Sequence, residues 1–308
     1  MSTSTPPPYS LPSATRIGYV HLTVQNLDRQ ITFYTKVLGF NVHWREGSEA
    51  ALGTEQEVLL HLSENPNALR MQQTTGMYHF AILYPSLKEL ARAIARLFVM
   101  RYPNAPTDHG MSKTTYLDDL EGNNIELYVR SLEDAVVEIV NGEMVVQYAD
   151  GRVGSGRDPL NLEALFNELS DDDPLDSPLP DGTQIGHVHL YGTHIPQMFT
   201  FYRDTLGFQN WTHIENFQMG DVGLDEQQPH VVAFNTWKGI SLPPAPDHAL
   251  GLRYFTLTYP SSADLVQAIT RLQDAGIETQ QTPAGVQVYD PAHIQVILTD
   301  QMPSLSRR

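Results

Sequence analysis

The feature that most restricts the fold of this chain is a repeat. RIGYVHLTVQNLDRQITFYTKVLGF at 16–40 returns as QIGHVHLYGTHIPQMFTFYRDTLGF at 184–208, with His21 and His189 separated by 168 positions. A second segment, GMYHFAILYPSLKELARAIARL at 76–97, returns as GLRYFTLTYPSSADLVQAITRL at 251–272, at an offset of 175. Self-similarity on this scale means one architecture built twice. Each segment reads as a strand running into a helix. YVHLTV is rich in strand formers, and Leu27, Ile31, Tyr34 and Leu38 fall on one helical face that Gly39 terminates. In the second segment YHFAILY leads into a helix whose Ser86 and Glu89 have the spacing of a capping box. Each half therefore holds two such units, and the chain holds four.

The stretch between the halves, 131–183, carries an Asn141-Gly142 turn flanked by strand-type sequence, a short helix near NLEALFNEL, and the run SDDDPLDSPLPDG. That acidic, proline-rich run reads as a solvated connector. The expected partition is a loose tail at 1–15, a first domain at 16–130, the connector at 131–183, a second domain at 184–300 and a tail at 301–308. At 308 residues the chain is long enough for two domains with cores of their own.

Charge and cysteine content narrow the function. A formal charge of −17 repels phosphate backbones and anionic lipid, which argues against nucleic-acid or membrane-surface partners. No apolar run is long enough for a transmembrane helix, and MSTSTPPPYSLPSAT lacks the basic start and apolar middle of a secretory signal, so the expected compartment is cytoplasmic. With no cysteine, any metal must be held by nitrogen and oxygen donors. The sequence leaves the oligomeric state open and is compatible with a homo-oligomer.

Four strand–helix–strand units in two pairs resemble the vicinal oxygen chelate superfamily, which includes glyoxalases, bleomycin-resistance proteins and extradiol dioxygenases. The resemblance implies an α+β fold in which four βαβββ units pair into two open mixed-sheet barrels around a metal or ligand cavity. It also implies ligand positions: His21 in the first strand of unit one, His79 in the first strand of unit two, and Glu126 in the last strand of unit two. Two histidines and a carboxylate on one face suit Fe(II) and leave positions open for substrate and oxygen, with Mn(II) as the second choice. If unit two pairs with unit three instead, His189 takes the place of His21. In the second half Tyr254 stands opposite His79 and Gln295 opposite Glu126, so that domain is expected to lack a metal site.

HGMSKTTYLDDLEGNNIELY at 109–128 resembles the signature of type I extradiol ring-cleaving dioxygenases through His109, Tyr116, Asp119, Gly122 and Glu126. Thr115 and Leu120 depart from it, Leu120 standing where the signature has proline. The resemblance extends to two-domain catechol 2,3-dioxygenases of the Bacillus type. It implies that His109 and Tyr116 hydrogen-bond the bound oxygen and the catecholate. His61 falls where glyoxalase I enzymes carry a glutamate ligand. It can be read as a fourth ligand, which would leave too few open positions for a catecholate plus O2, or as a base accepting a catechol proton.

The function expected from the resemblance is that of an Fe(II)-dependent extradiol dioxygenase, an oxidoreductase that opens a small aromatic diol with O2. Two readings compete: a glyoxalase-like metal isomerase or lyase, and a non-enzymatic protein that sequesters a drug or aromatic ligand. Trp44, Trp211 and Trp237 could wall a pocket, although large aromatics are more often core residues.

Overall fold

The computed structural model describes residues 9–306. Unit one supplies β1 (Arg16–Val24), α1 (Leu27–Lys36), β2 (Asn41–Glu46), β3 (Glu49–Gly53) and β4 (Val58–Glu64). Unit two supplies β5 (Gly76–Leu83), α2 (Leu87–Val99), β6 (Ala105–Asp108), β7 (Ser112–Asp118) and β8 (Asn124–Arg130). The connector adds β9 (Ala135–Val140), β10 (Glu143–Tyr148), β11 (Val153–Gly154), β12 (Asp158–Pro159) and α3 (Leu162–Phe166). Unit three contains β13 (Gln184–Tyr191), α4 (Ile195–Phe199), β14 (Trp211–Ile214), β15 (Met219–Val222) and β16 (Val232–Asn235). Unit four contains β17 (Gly251–Thr258), α5 (Ser262–Asp274), β18 (Gln280–Thr282), β19 (Gly285–Tyr289) and β20 (Gln295–Thr299).

Local chemistry sets the element ends. The Asn26 side chain caps α1 by accepting from Arg29 N at 2.8 Å, and Gly39, at φ +80°, turns the chain out of the helix. Ser86 Oγ caps α2 by accepting from Glu89 N at 3.3 Å, while the Glu89 carboxylate takes Arg92 in place of the reciprocal bond of a full capping box. Asn141 and Gly142 both have positive φ, +53° and +79°, as a two-residue hairpin turn requires.

The units pair across the halves. One mixed sheet runs β18-β19-β20-β17-β1-β4-β3-β2 and the other β12-β6-β7-β8-β5-β13-β16-β15-β14. Units one and four thus share a sheet through the antiparallel pair β1·β17, and units two and three share the other through β5·β13. Both sheets are open. The partition at 130 and 184 expected from the repeat therefore does not coincide with the sheets. All four first strands offer the same backbone hydrogen bonds, so repeat sequence alone cannot choose which two will pair.

Steric fit marks each junction. The Ile-Gly pair common to both repeats lies at a register shift in β1 and in β13. A Cβ on Gly186 would collide with Tyr128 Oη of unit two, and one on Gly18 would collide with Thr258 Oγ1 of unit four. One apolar core, including Leu22, Phe80, Leu190 and Phe255, runs through both sheets.

The acidic connector is docked, contrary to its reading as a solvated segment. Lys88, Arg92 and Arg96 recur every fourth residue on α2 and so form one cationic face. Asp173 lies 2.9 Å from Lys88 and 3.5 Å from Arg92, Arg96 donates to the Leu175 and Ser177 carbonyls, and Leu179 is buried. Among the described residues no helix is long and apolar enough to cross a membrane.

Candidate metal centre

Strand β5 lies between β8 and β13, and its register builds the site. Ala81 pairs with Glu126 on one side and His187 on the other, so those two side chains stand at one level across the sheet. His79, two residues earlier on β5, shares the Ala81 face and completes a triangle. Nε2 of His79 and Nε2 of His187 are 3.0 Å apart, and Glu126 Oε2 lies 3.2 Å from the first and 3.0 Å from the second. All three side chains are buried.

The donor set fits a divalent ion. Ligands at right angles on an ion with bonds of about 2.1 Å stand about 3.0 Å apart, close to the observed spacing. Protons alone serve the triangle poorly. If both imidazoles donate to Glu126, their two N–H groups face each other; if one donates to the other, the acceptor Nε2 turns its lone pair toward the Glu126 carboxylate, 3.0–3.2 Å away. Burial and the neighbouring His230 lower His187 to about 3, keeping it a neutral donor. Burial would raise Glu126, but the imidazoles of His187 and His79 hold it well below the usual carboxylate range. A neutral imidazole and an ionised carboxylate are the forms a metal takes.

Ala81 is the small residue inside this cradle, fully buried between the donors. Ala81→Leu is expected to overfill the cradle at a cost of about 1–3 kcal/mol, weakening metal retention roughly 10- to 100-fold. Metal analysis after gel filtration checks this. A variant with the same metal content as the parent would show that the ion does not sit over Ala81.

His79 and Glu126 thus come together as expected, but His21 does not join them. It lies on β1 in the other sheet, where Nε2 bonds Ser63 Oγ at 2.7 Å and the ring stacks on His61 at 4.2 Å. The cause is the pairing of unit two with unit three. His61, expected as a fourth ligand or base, is in that sheet too, on β4 beside β1. His189, the alternative ligand, is also displaced: its Nε2 meets Asn235 Nδ2 at 2.8 Å. His187 and His189 share a face, and only the register against Ala81 decides that His187 is at the level of Glu126. The histidine at 187, where the first repeat has Tyr19, was the available sequence signal.

The other sheet preserves the plan without the donors. Tyr19 stands at the position of His187 and Tyr254 at that of His79, their hydroxyls 3.0 Å apart. Thr256, the counterpart of Ala81, pairs with Ile297. Ile297 therefore takes the place of Glu126, correcting the assignment of Gln295, whose side chain bonds Gln287. The Asp119 turn explains Leu120 as well. Asp119 accepts from the backbone N–H groups of Glu121 and Asn123 and from Tyr34 Oη, each at 2.9 Å, while Gly122 takes φ +77°. The turn thus holds without the proline, and the Leu120 side chain is exposed.

Around the triangle are the expected pair and one residue not anticipated. Tyr116 pairs with Glu126 across β7·β8, and its hydroxyl is 2.8 Å from His109 Nε2. His109 Nδ1 donates to the Gly156 carbonyl, so in the neutral ring Nε2 accepts from Tyr116. Burial, with Glu126 nearby, raises Tyr116 well above the usual phenol range. His230 is the addition. Its ring centroid lies 4.4 Å from that of His187, and Nδ1 is 2.7 Å from Asp221 Oδ2. Burial opposes its charged form, but the Asp221 carboxylate outweighs this and raises its pKa. No repeat partner or motif marks His230 in the sequence. Trp237 reaches the site, 5.1 Å from Tyr78 and 5.3 Å from His189, whereas Trp44 lies against His61 and Trp211 against Phe199.

Duplicated strand–helix–strand units that curve mixed sheets around a buried His-Glu-His cluster define a metal-cradle class of protein. The chain belongs to the Glyoxalase/Bleomycin resistance protein/Dioxygenase superfamily, whose family model matches residues 16–127 and 184–297. It is 33% identical over 288 residues to the catechol-2,3-dioxygenase of Bacillus subtilis, covering 92% of this chain and 96% of that protein. A biphenyl-2,3-diol 1,2-dioxygenase of Rhodococcus globerulus is 25% identical over 158 residues, spanning 49% of this chain and 82% of the relative. Among solved structures, a putative dioxygenase of B. subtilis matches with a TM-score of 0.64 at 11% identity, over 96% of this chain and 88% of that one. Glyoxalase I of Zea mays matches with a TM-score of 0.54 at 15% identity, over 92% of each chain. Those two structures bear on the fold alone.

Proposed function

We propose that the protein is an Fe(II)-dependent extradiol dioxygenase, with His79, Glu126 and His187 holding the metal and a catechol as substrate. The observation that carries this reading is the donor triangle, set beside the His109–Tyr116 pair, in a chain similar over nearly its whole length to a catechol-2,3-dioxygenase. Two histidines and one carboxylate leave coordination positions for both hydroxyl oxygens of a catechol and for O2. Mn(II) is the alternative metal for the same donors.

When bound, the iron supplies one-electron chemistry with O2 that closed-shell side chains lack. The chain's own residues manage protons and water. A catechol must shed protons to bind through both oxygens, and two acceptors border the site. Tyr116 gives its O–H to His109, leaving lone pairs on its oxygen for a substrate hydroxyl. His230, held by Asp221, can take up a proton and return it. Tyr78 and Trp237 form an aromatic wall that limits water around the ring.

The test is anaerobic reconstitution with Fe(II), metal analysis, then a catechol panel and air. The expected result is one iron per chain and a yellow ring-opened product absorbing in the visible. Bound iron with no absorbance change across the panel would favour a glyoxalase-like or sequestering role and overturn the proposal.

A further inference from the structure

The segment after the β9–β10 hairpin folds back onto the site. Gly156 gives its carbonyl to His109, and Arg157 follows it, with its guanidinium carbon 4.0 Å from the centroid of Phe217. From there an unbroken aromatic wall leads to the metal donors. Phe217 lies 5.0 Å from Trp237, Trp237 5.1 Å from Tyr78, and Tyr78 5.0 Å from His79. Trp237 Nε1 also donates to the Phe217 carbonyl at 2.6 Å, fixing the step nearest Arg157.

The Arg157 side chain rests on an aromatic face. The adjacent Asp158 is engaged elsewhere, accepting from Tyr148 Oη at 2.9 Å and Ser155 Oγ at 3.4 Å. Arg157 is solvent-exposed and stands at the outer end of this aromatic series. In a chain of net charge −17, a cation at this rim offsets the repulsion an anion would otherwise meet.

We infer that Arg157 selects substrates with an acidic group, so that the preferred ligands are catechols bearing a carboxylate on the side of the ring away from the two hydroxyls. The guanidinium fork matches a carboxylate, while the Phe217–Trp237–Tyr78 wall takes the flat ring. This inference rests on the dioxygenase reading of the site and specifies its substrate class.

The test compares 3,4-dihydroxybenzoate with its neutral isostere 3,4-dihydroxybenzamide in the Fe(II)-loaded protein and in Arg157→Gln and Arg157→Lys. Two ratios are read: acid over amide in kcat/KM, and acid over amide in anaerobic binding affinity by calorimetry. The parent is expected to favour the acid about tenfold, the scale of one charge-assisted hydrogen bond. Arg157→Gln should bring both ratios to about one or below, and Arg157→Lys should retain part of the preference. A ratio unchanged in Arg157→Gln, including the case where both ligands weaken together, would overturn the assignment, as would a parent that prefers the amide. If neither these compounds nor any catechol of the panel is cleaved, ring cleavage fails as the activity, and the binding ratios still decide the role of Arg157.

Discussion

Replacing His187 with alanine should strip the protein of its metal, while replacing His21 should leave it loaded. His187 contributes one of three donors spaced 3.0–3.2 Å apart, and its removal leaves one imidazole and one carboxylate. Loss of a residue supporting a ligand typically costs 10- to 100-fold in metal affinity, so loss of the ligand itself should cost about 100-fold or more. His21 bonds Ser63 in the other sheet, and its loss bears on local packing there. Metal content after dialysis, with circular dichroism to check the fold, measures both variants. Metal retained by His187→Ala and lost by His21→Ala would mean that the ion is held by the pairing expected from the repeat.

His230→Gln should leave metal content intact and lower kcat by about 10²–10⁴-fold, the usual worth of a positioned proton carrier. The companion variant Asp221→Asn tests how the carrier is tuned. Asp221 raises the pKa of His230, so the amide should lower it, and the protonated fraction should then be lost at lower pH than in the parent. The kcat limb set by this group should move to lower pH. A kcat within a few-fold of the parent for His230→Gln would remove it from the proton path. The linkage to stability has a definite sign: a raised folded pKa contributes stability below the unfolded value that is lost as pH rises through the folded one.

Much of the fold was legible because it rests on local patterns. The four units, the Ser86 cap, the stop at Gly39 and the Asn141-Gly142 turn depend on side chains a few residues apart. Glu126, His109 and Tyr116 were marked by the resemblance of 109–128 to the extradiol signature. The connector was misread because its docking depends on Lys88 and Arg92, which meet Asp173, and on Arg96, which takes the Leu175 and Ser177 carbonyls, all far away in sequence and aligned only once α2 packs beside it. Gln295 was misassigned because repeat similarity does not fix strand register, and a shift of two residues keeps the same face.

The sequence by itself determined that one unit is made four times, that any metal is held by nitrogen and oxygen, and that His79 and Glu126 belong to one unit. Only the tertiary structure decided which units pair, and with that the third donor. The edges of the four first strands present equivalent backbone groups, and the choice of β13 beside β5 depends on packing between distant residues, such as Tyr128 against Gly186. That packing sets His187 level with Glu126 across Ala81, leaves His21 with Ser63, and brings His230 beside His187 and Trp237 beside His189.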